Sequence, residues 1–290
     1  NPVALAMVGE LVPAARRGYV MGWMGTINTA GIAAGPLAGG LAADLNWRLA
    51  YYLIIAMTAA SVVLFSVTFT AGRVPIVGKG TVLGRLGKIA SVRTMQLVCL
   101  GGFAAFFAYG AALTFTGEAL EGPPFNLSRG TIGMTIALGG LAGILVSPGA
   151  GLVADRLGRG KVSAIGFSLA LASYLGLAFA TSHLAVLALF FLMGAAMSFT
   201  WAGLMTLSVE LVPGARNTSS TLFNATRFSG YALSPFMLVF VYTSSGLASV
   251  MFISAAMSAI GMGAAVMLSR RAGGDVPQKD AVSPGKAGPG

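Results

Sequence analysis

Apolar runs long enough to cross a bilayer follow one another along this chain, separated by short polar turns. The run from Tyr19 to Ala43 carries no charge. At about 1.5 Å per helical residue it can cross a hydrocarbon core about 30 Å thick. The pattern predicts helical spans over 18–43, 49–70, 95–116, 130–153, 162–181, 184–208, 218–242 and 247–268. Residues 1–12 read as the end of a further helix, too short to span alone. The chain begins Asn1-Pro2-Val3 without Met, so the expectation is that it starts inside a helix and that upstream sequence is missing. Residues 72–94 break the pattern with Arg73, Lys79, Arg85, Lys88 and Arg93 and no acidic residue. They read as a basic linker with an amphipathic surface helix. Residues 269–290, rich in Gly, Pro and Lys, read as a disordered tail.

Composition turns these runs into a class. Of 290 residues, 56% are hydrophobic and 9% charged, against about 25% charged in soluble domains. The chain reads as an all-α integral membrane protein. A formal charge of +10 would suggest nucleic acid in a soluble chain. Here it follows from topology, because membrane proteins collect Lys and Arg on the cytoplasmic side. With the linker cytoplasmic and the helices alternating, only Arg48 and Arg129 fall in outside turns, and Arg227 lies inside a span. That places the protein in the plasma or inner membrane with linker and tail cytoplasmic. The partners implied are the bilayer and a small solute, with no nucleic acid and no obligate protein partner evident. One cysteine, Cys99, and one histidine, His183, build neither a disulfide nor a metal site. Cys99 is expected to be a buried structural thiol.

The chain also repeats itself. Glu10-Leu-Val-Pro13-Ala-Ala-Arg16 recurs as Glu210-Leu-Val-Pro213-Gly-Ala-Arg216, and Gly31-x-x-x-Gly35-Pro36 is echoed by Gly230-x-x-x-Ser234-Pro235. In both copies a cytoplasmic turn enters an outward-going helix, so the repeats are parallel. Parallel repeats joined by a basic loop suit a transporter of two six-helix halves.

Three motifs carry a family resemblance over residues 1–270. Gly31-x-x-x-Gly35-Pro36-x-x-Gly39-Gly40 resembles the antiporter motif in the fifth helix of major facilitator superfamily transporters. Trp47-Arg48 resembles the pair that follows that helix. Gly151-Leu-Val-Ala-Asp155-Arg156-Leu-Gly158-Arg159 resembles the family's loop motif, in its second-half copy. The resemblance implies a helical bundle of the end of helix four and helices five to twelve, with helices one to three absent. Residues 1–71 would close the first half, 72–94 link, 95–268 form the second half and 269–290 the tail. It implies alternating access powered by a proton or other ion gradient, with no cofactor. Drug:proton antiport is the type it most resembles.

Candidate residues follow on both grounds. Glycines four apart share a helix face and admit close approach of another helix. Gly31, Gly35 and Gly39, with Pro36, are expected to pack on Gly139, Gly143 and Ser147, followed by Pro148. The resemblance makes this a moving interface between the halves; a static packing seam is the plainer alternative. Asp155, Arg156 and Arg159, between Gly151 and Gly158, read either as positive-inside anchoring or, by resemblance, as an inward-side latch. Arg227 lies about nine residues into its helix, where a charge needs water or an acidic partner. Asn224 and Tyr231 share its face, and Asn28 matches it in the repeat. These residues are expected to line a central cavity for an anionic or polar substrate; pairing with a carboxylate elsewhere, or snorkelling, is the alternative. Trp201, Thr200, Ser198 and Tyr109 are further candidates, each equally at home in ordinary packing.

No His-Glu-x-x-His, Gly-x-Ser-x-Gly or Gly-Lys-Ser/Thr phosphate loop is present, so the chain does not read as an enzyme. The leading reading is proton-coupled efflux of a small organic solute or drug. Uptake of an organic anion is the second, and a non-transporting membrane remnant the third.

Overall fold

A computed structural model of the chain describes residues 30–31, 34–68, 86–87, 89–210 and 216–272. Helices run over 34–45 (α1), Trp47–Thr68 (α2), Arg93–Glu121 (α3), Arg129–Leu157 (α4), Arg159–Ala178 (α5), His183–Glu210 (α6) and Arg216–Ala272 (α7). Six of them are long and apolar enough to cross a membrane. The described residues of the expected spans thus appear as helices, apart from 179–181, while residues 18–29 and 32–33 of the first span and 69–70 of the second lie outside the described residues together with residues 1–12 and most of the linker.

Helix ends follow local chemistry. Ser128 caps α4, its Oγ accepting the Thr131 N–H at 3.3 Å. Gly158 separates α4 from α5 at φ 90, a backbone conformation that glycine alone adopts cheaply. Gly246, at φ 73 and ψ −174, interrupts α7. Phe223 from its first arm and Ala265 and Leu268 from its second lie in the same buried cluster. The chain therefore folds back at Gly246 into a hairpin of two crossings. The sequence pattern placed the break over 243–246; helix persists to the last of these residues.

α3 packs on α7, and α5 packs on α6 and α7. α6 in turn packs on α4. Two apolar layers fill the interior. One gathers Phe115, Leu120, Tyr174, Phe190, Leu238 and Met251, the other Met95, Phe167, Leu204, Phe223 and Leu268. Hydroxyl groups tie helices together where apolar attraction between helices is weak in lipid. Ser258 Oγ of α7 donates to the Phe167 carbonyl of α5 at 2.9 Å. His183 Nε2 and Thr135 Oγ1 join α6 to α4 at 3.0 Å. From Tyr51 to Val67, α2 is exposed all round, as fits an apolar span whose neighbours are not water.

Two expectations change. Residues 269–272 belong to α7 rather than to a disordered tail, with Ser269 Oγ donating to the Val266 carbonyl at 2.7 Å. The apolar periodicity faded before the helix did. Cys99 is half-buried at the edge of the second layer rather than enclosed. The few described linker residues include Ile89, which is buried in that layer.

Candidate substrate cavity

The first arm of α7 places Asn224, Arg227 and Phe228 on neighbouring positions of one turn. Arg227 is 9% exposed. Its Nε donates to Asn224 Oδ1 at 2.8 Å, and Asn224 Nδ2 donates to the Ser220 carbonyl at 2.7 Å. Asn224 is thus oriented by its own helix and holds one edge of the guanidinium. Three rings surround the rest. The Arg227 Cζ lies 4.2 Å from the Trp201 centroid, 4.2 Å from Phe228 and 4.7 Å from Phe106. Phe106 also contacts Trp201 and Phe228, with centroids 6.1 and 6.0 Å apart, which locks the cage.

No carboxylate among the described residues pairs with Arg227. Magnitudes explain how it persists. Each cation–π contact contributes roughly 0.5–2 kcal/mol. Together they are comparable with the cost of an arginine at a helix centre, at least about 2.5–3.5 kcal/mol on insertion scales. The charge is tolerated, yet stays uncompensated.

Arg227 faces a cavity of about 150 Å³. α3 contributes Phe106 and Tyr109, and α4 contributes Gly139, Gly140, Gly143 and Ser147. α6 supplies Gly194, Met197, Ser198 and Trp201. The glycine wall follows from how α4 meets α6. A Cβ on Gly194 would overlap the Gly139 carbonyl, so backbone touches backbone. Ser198 Oγ then donates to the Gly143 carbonyl at 3.1 Å.

The structure therefore unites two groups of residues that the sequence left separate. Arg227 and Trp201 share the cavity with Gly143 and Ser147. Tyr231 lies a turn beyond, 41% exposed and packed on Gly110, outside the lining. Thr200 turns toward α5, where it meets Gly166. Asn28 lies outside the described residues. Phe106 and Phe228 were missed: the first comes from another helix, and the second is an apolar neighbour with no polar signature.

The expected glycine seam is corrected. A Cβ on Gly31, Gly35 or Gly39 would meet nothing within 4 Å. α1 does meet α4, but along the adjacent stripe Pro36–Gly40–Asp44. A Cβ on Gly40 would fall 3.1 Å from Gly133 Cα, and one on Gly133 would press on the Pro36 carbonyl. Asp44 Oδ2 accepts the Gly130 N–H at 2.8 Å and the Ser128 hydroxyl at 3.1 Å. That carboxylate sits at the N-terminus of α4, where negative charge is favoured, and it fixes the rotation of α1. Gly139 and Gly143, assigned to α1 by spacing, face α6 instead, while Pro148 is exposed. In the loop motif, Asp155 Oδ1 and Arg159 Nη1 pair at 2.6 Å across Gly158. Arg156 is exposed, and Gly151 is half-buried. With Asp155 exposed and Arg159 half-buried, a surface pair of this kind is worth about 0–1 kcal/mol.

The family model described as Major Facilitator Superfamily matches residues 1–118 and 98–288. This chain belongs to the major facilitator superfamily. Among its relatives is the multidrug resistance protein MdtG of Proteus mirabilis, 25% identical over 262 residues, which are 88% of this chain and 65% of that protein. MdtG of Citrobacter koseri is 28% identical over 202 residues, 67% of this chain and 49% of that protein. The multi-drug resistance efflux pump PmrA homolog of Lactococcus lactis is 26% identical over 205 residues, again 67% and 49%. The chain thus spans half to two thirds of the length of these relatives. As a major facilitator chain with several apolar helices, it is a multi-pass membrane protein.

Proposed function

We propose that the chain belongs to a secondary active transporter that exports a small organic solute in exchange for protons by alternating access. The observation that carries this is Arg227, a cation at span depth with no partner carboxylate among the described residues, facing a cavity between four helices. Buried membrane charges of this kind mark substrate or ion pathways. The relatives' names, multidrug resistance protein and multi-drug resistance efflux pump, support export of drug-like solutes. In this reading residues 1–71 end the first half, 72–94 form a cytoplasmic linker, and 95–268 form the second half. The tail is cytoplasmic too.

Alternating access requires contacts made in one state and absent in the other. The α1–α4 crossing is suited to this. It is tight at Asp44, while a gap of about 440 Å³ separates Ala30, Ala34 and Leu37 from Leu138, Leu141 and Ile144. The Asp155–Arg159 pair would act at the other membrane face, exchanging partners as the halves rock.

Proteoliposomes carrying the full-length protein test the reading. An imposed pH gradient should drive solute flux, with proton movement that depends on the solute. Arg227→Ala should lower that flux at least about tenfold, the loss of one charge-assisted contact. Flux that is indifferent to the gradient would remove proton coupling. A second reading, uptake of an organic anion, is favoured by the sign of the Arg227 charge and would show as inward anion flux.

A further inference from the structure

The cavity beside Arg227 has a shape and a polarity that restrict its ligand, given the reading that transported solute enters it. Its volume, about 150 Å³, matches the size of cavity that takes up a benzene-sized ligand. Gly139, Gly140 and Gly143 of α4 line it without side chains, and Phe106 and Trp201 line it with rings. A lining of side-chain-free glycines and rings suits a flat group. Aliphatic chains would fill such a cavity poorly, whereas a ring stacks offset or edge-on against aromatic neighbours.

Polarity fixes the other half of the ligand. Arg227 is the charged group on the described wall, and no described carboxylate balances it. Its Nε is committed to Asn224 and its ring-facing surfaces to Trp201, Phe228 and Phe106. What remains is the edge formed by the two terminal nitrogens. Two parallel N–H groups on that edge match the two oxygens of a carboxylate. A cationic ligand would meet like charge at low dielectric without a counter-ion.

We infer that this cavity binds a monocyclic aromatic carboxylate, its ring against the α4 glycines and the aromatic pair, its carboxylate on the terminal edge of Arg227. Binding then supplies the negative charge that the described residues do not. Neutral amides of the same shape bind more weakly, and the matching ammonium compounds are excluded.

The test is a titration of the purified full-length protein in detergent, with Trp23→Phe and Trp47→Phe so that Trp201 is the reporter within residues 1–290. Benzoate, benzamide and benzylammonium are added in turn at neutral pH. Benzoate should quench Trp201 saturably, benzamide at least about tenfold more weakly, and benzylammonium not at all. Arg227→Lys should weaken benzoate about tenfold, because a point charge replaces a two-pronged donor, and Arg227→Met should abolish it. Benzylammonium binding as tightly as benzoate would overturn the inference on the unmutated cavity, whatever the variants do. Unaltered benzoate binding in Arg227→Met would overturn it too. The readout needs no transport. Saturable benzoate binding without benzoate flux in proteoliposomes upholds the site and counts against the transport reading. Flux of other solutes with no benzoate binding removes the site and leaves transport standing.

Discussion

Arg227 is held by three ring faces and one amide oxygen, none of them charged. Because those contacts roughly offset its insertion cost, removing the charge should change stability little. Replacing buried ionic groups by apolar ones of similar volume is often neutral or stabilising. Arg227→Met is expected to keep its melting temperature in detergent within about 4 °C of wild type while benzoate binding is lost. A fall well beyond that range would mark the guanidinium as structural. Trp201→Ala should behave differently, since it removes core packing as well as a ring face. A lower melting temperature, by several degrees, and weaker binding are both expected. Arg227 and Trp201 were legible from the sequence because a charge and a large ring stand out in an apolar span. Phe106 was not, because a phenylalanine among phenylalanines carries no mark of the cation it covers, and the contact is non-local.

The helices were the most legible level. Uncharged runs of about twenty residues leave few alternatives in a membrane, and Gly246 ended one where a left-handed backbone was needed. Which face a helix presents was less legible. In a stretch as rich in Gly and Ala as 30–43, several overlapping stripes have the same four-residue spacing. The choice among them was made by Asp44, whose bond to α4 lies in three dimensions and not in the local pattern. Substitutions along α1 should follow the observed stripe rather than the expected one. Gly35→Leu should leave the yield of monodisperse protein nearly unchanged, since its Cβ would meet open space. Gly40→Leu should lower it sharply, because the side chain would enter the backbone of α4 at Arg129 and Gly133. Overpacking of this kind costs typically 1–3 kcal/mol, occasionally more. Equal behaviour of the two variants on gel filtration would contradict the seam.

At the scale of the whole molecule, the Asp44 contact couples the end of α1 to the start of α4. Asp44→Ala removes the acceptor for the Gly130 amide and the Ser128 hydroxyl, whereas Asp44→Asn retains an acceptor without the charge. In a Cys99→Ala background carrying Leu37→Cys and Met134→Cys, cross-linking across the α1–α4 gap should fall in Asp44→Ala and fall less in Asp44→Asn. No change in either would show the contact to be incidental. The meeting of Gly40 with Gly133 has a mechanical consequence of its own. Two bare backbones in contact have no side chains to interlock, so under the proposed mechanism they would act as a fulcrum rather than a clamp. From Gly133 to Ile144 the arm is about 16 Å at 1.5 Å per residue, and a tilt of about 10° swings its far end by about 3 Å. That is close to the thickness of an aromatic ring. In the proposed alternating access, a small rotation at a point made of two glycines would be leverage enough to open or close the α1–α4 gap at the other end.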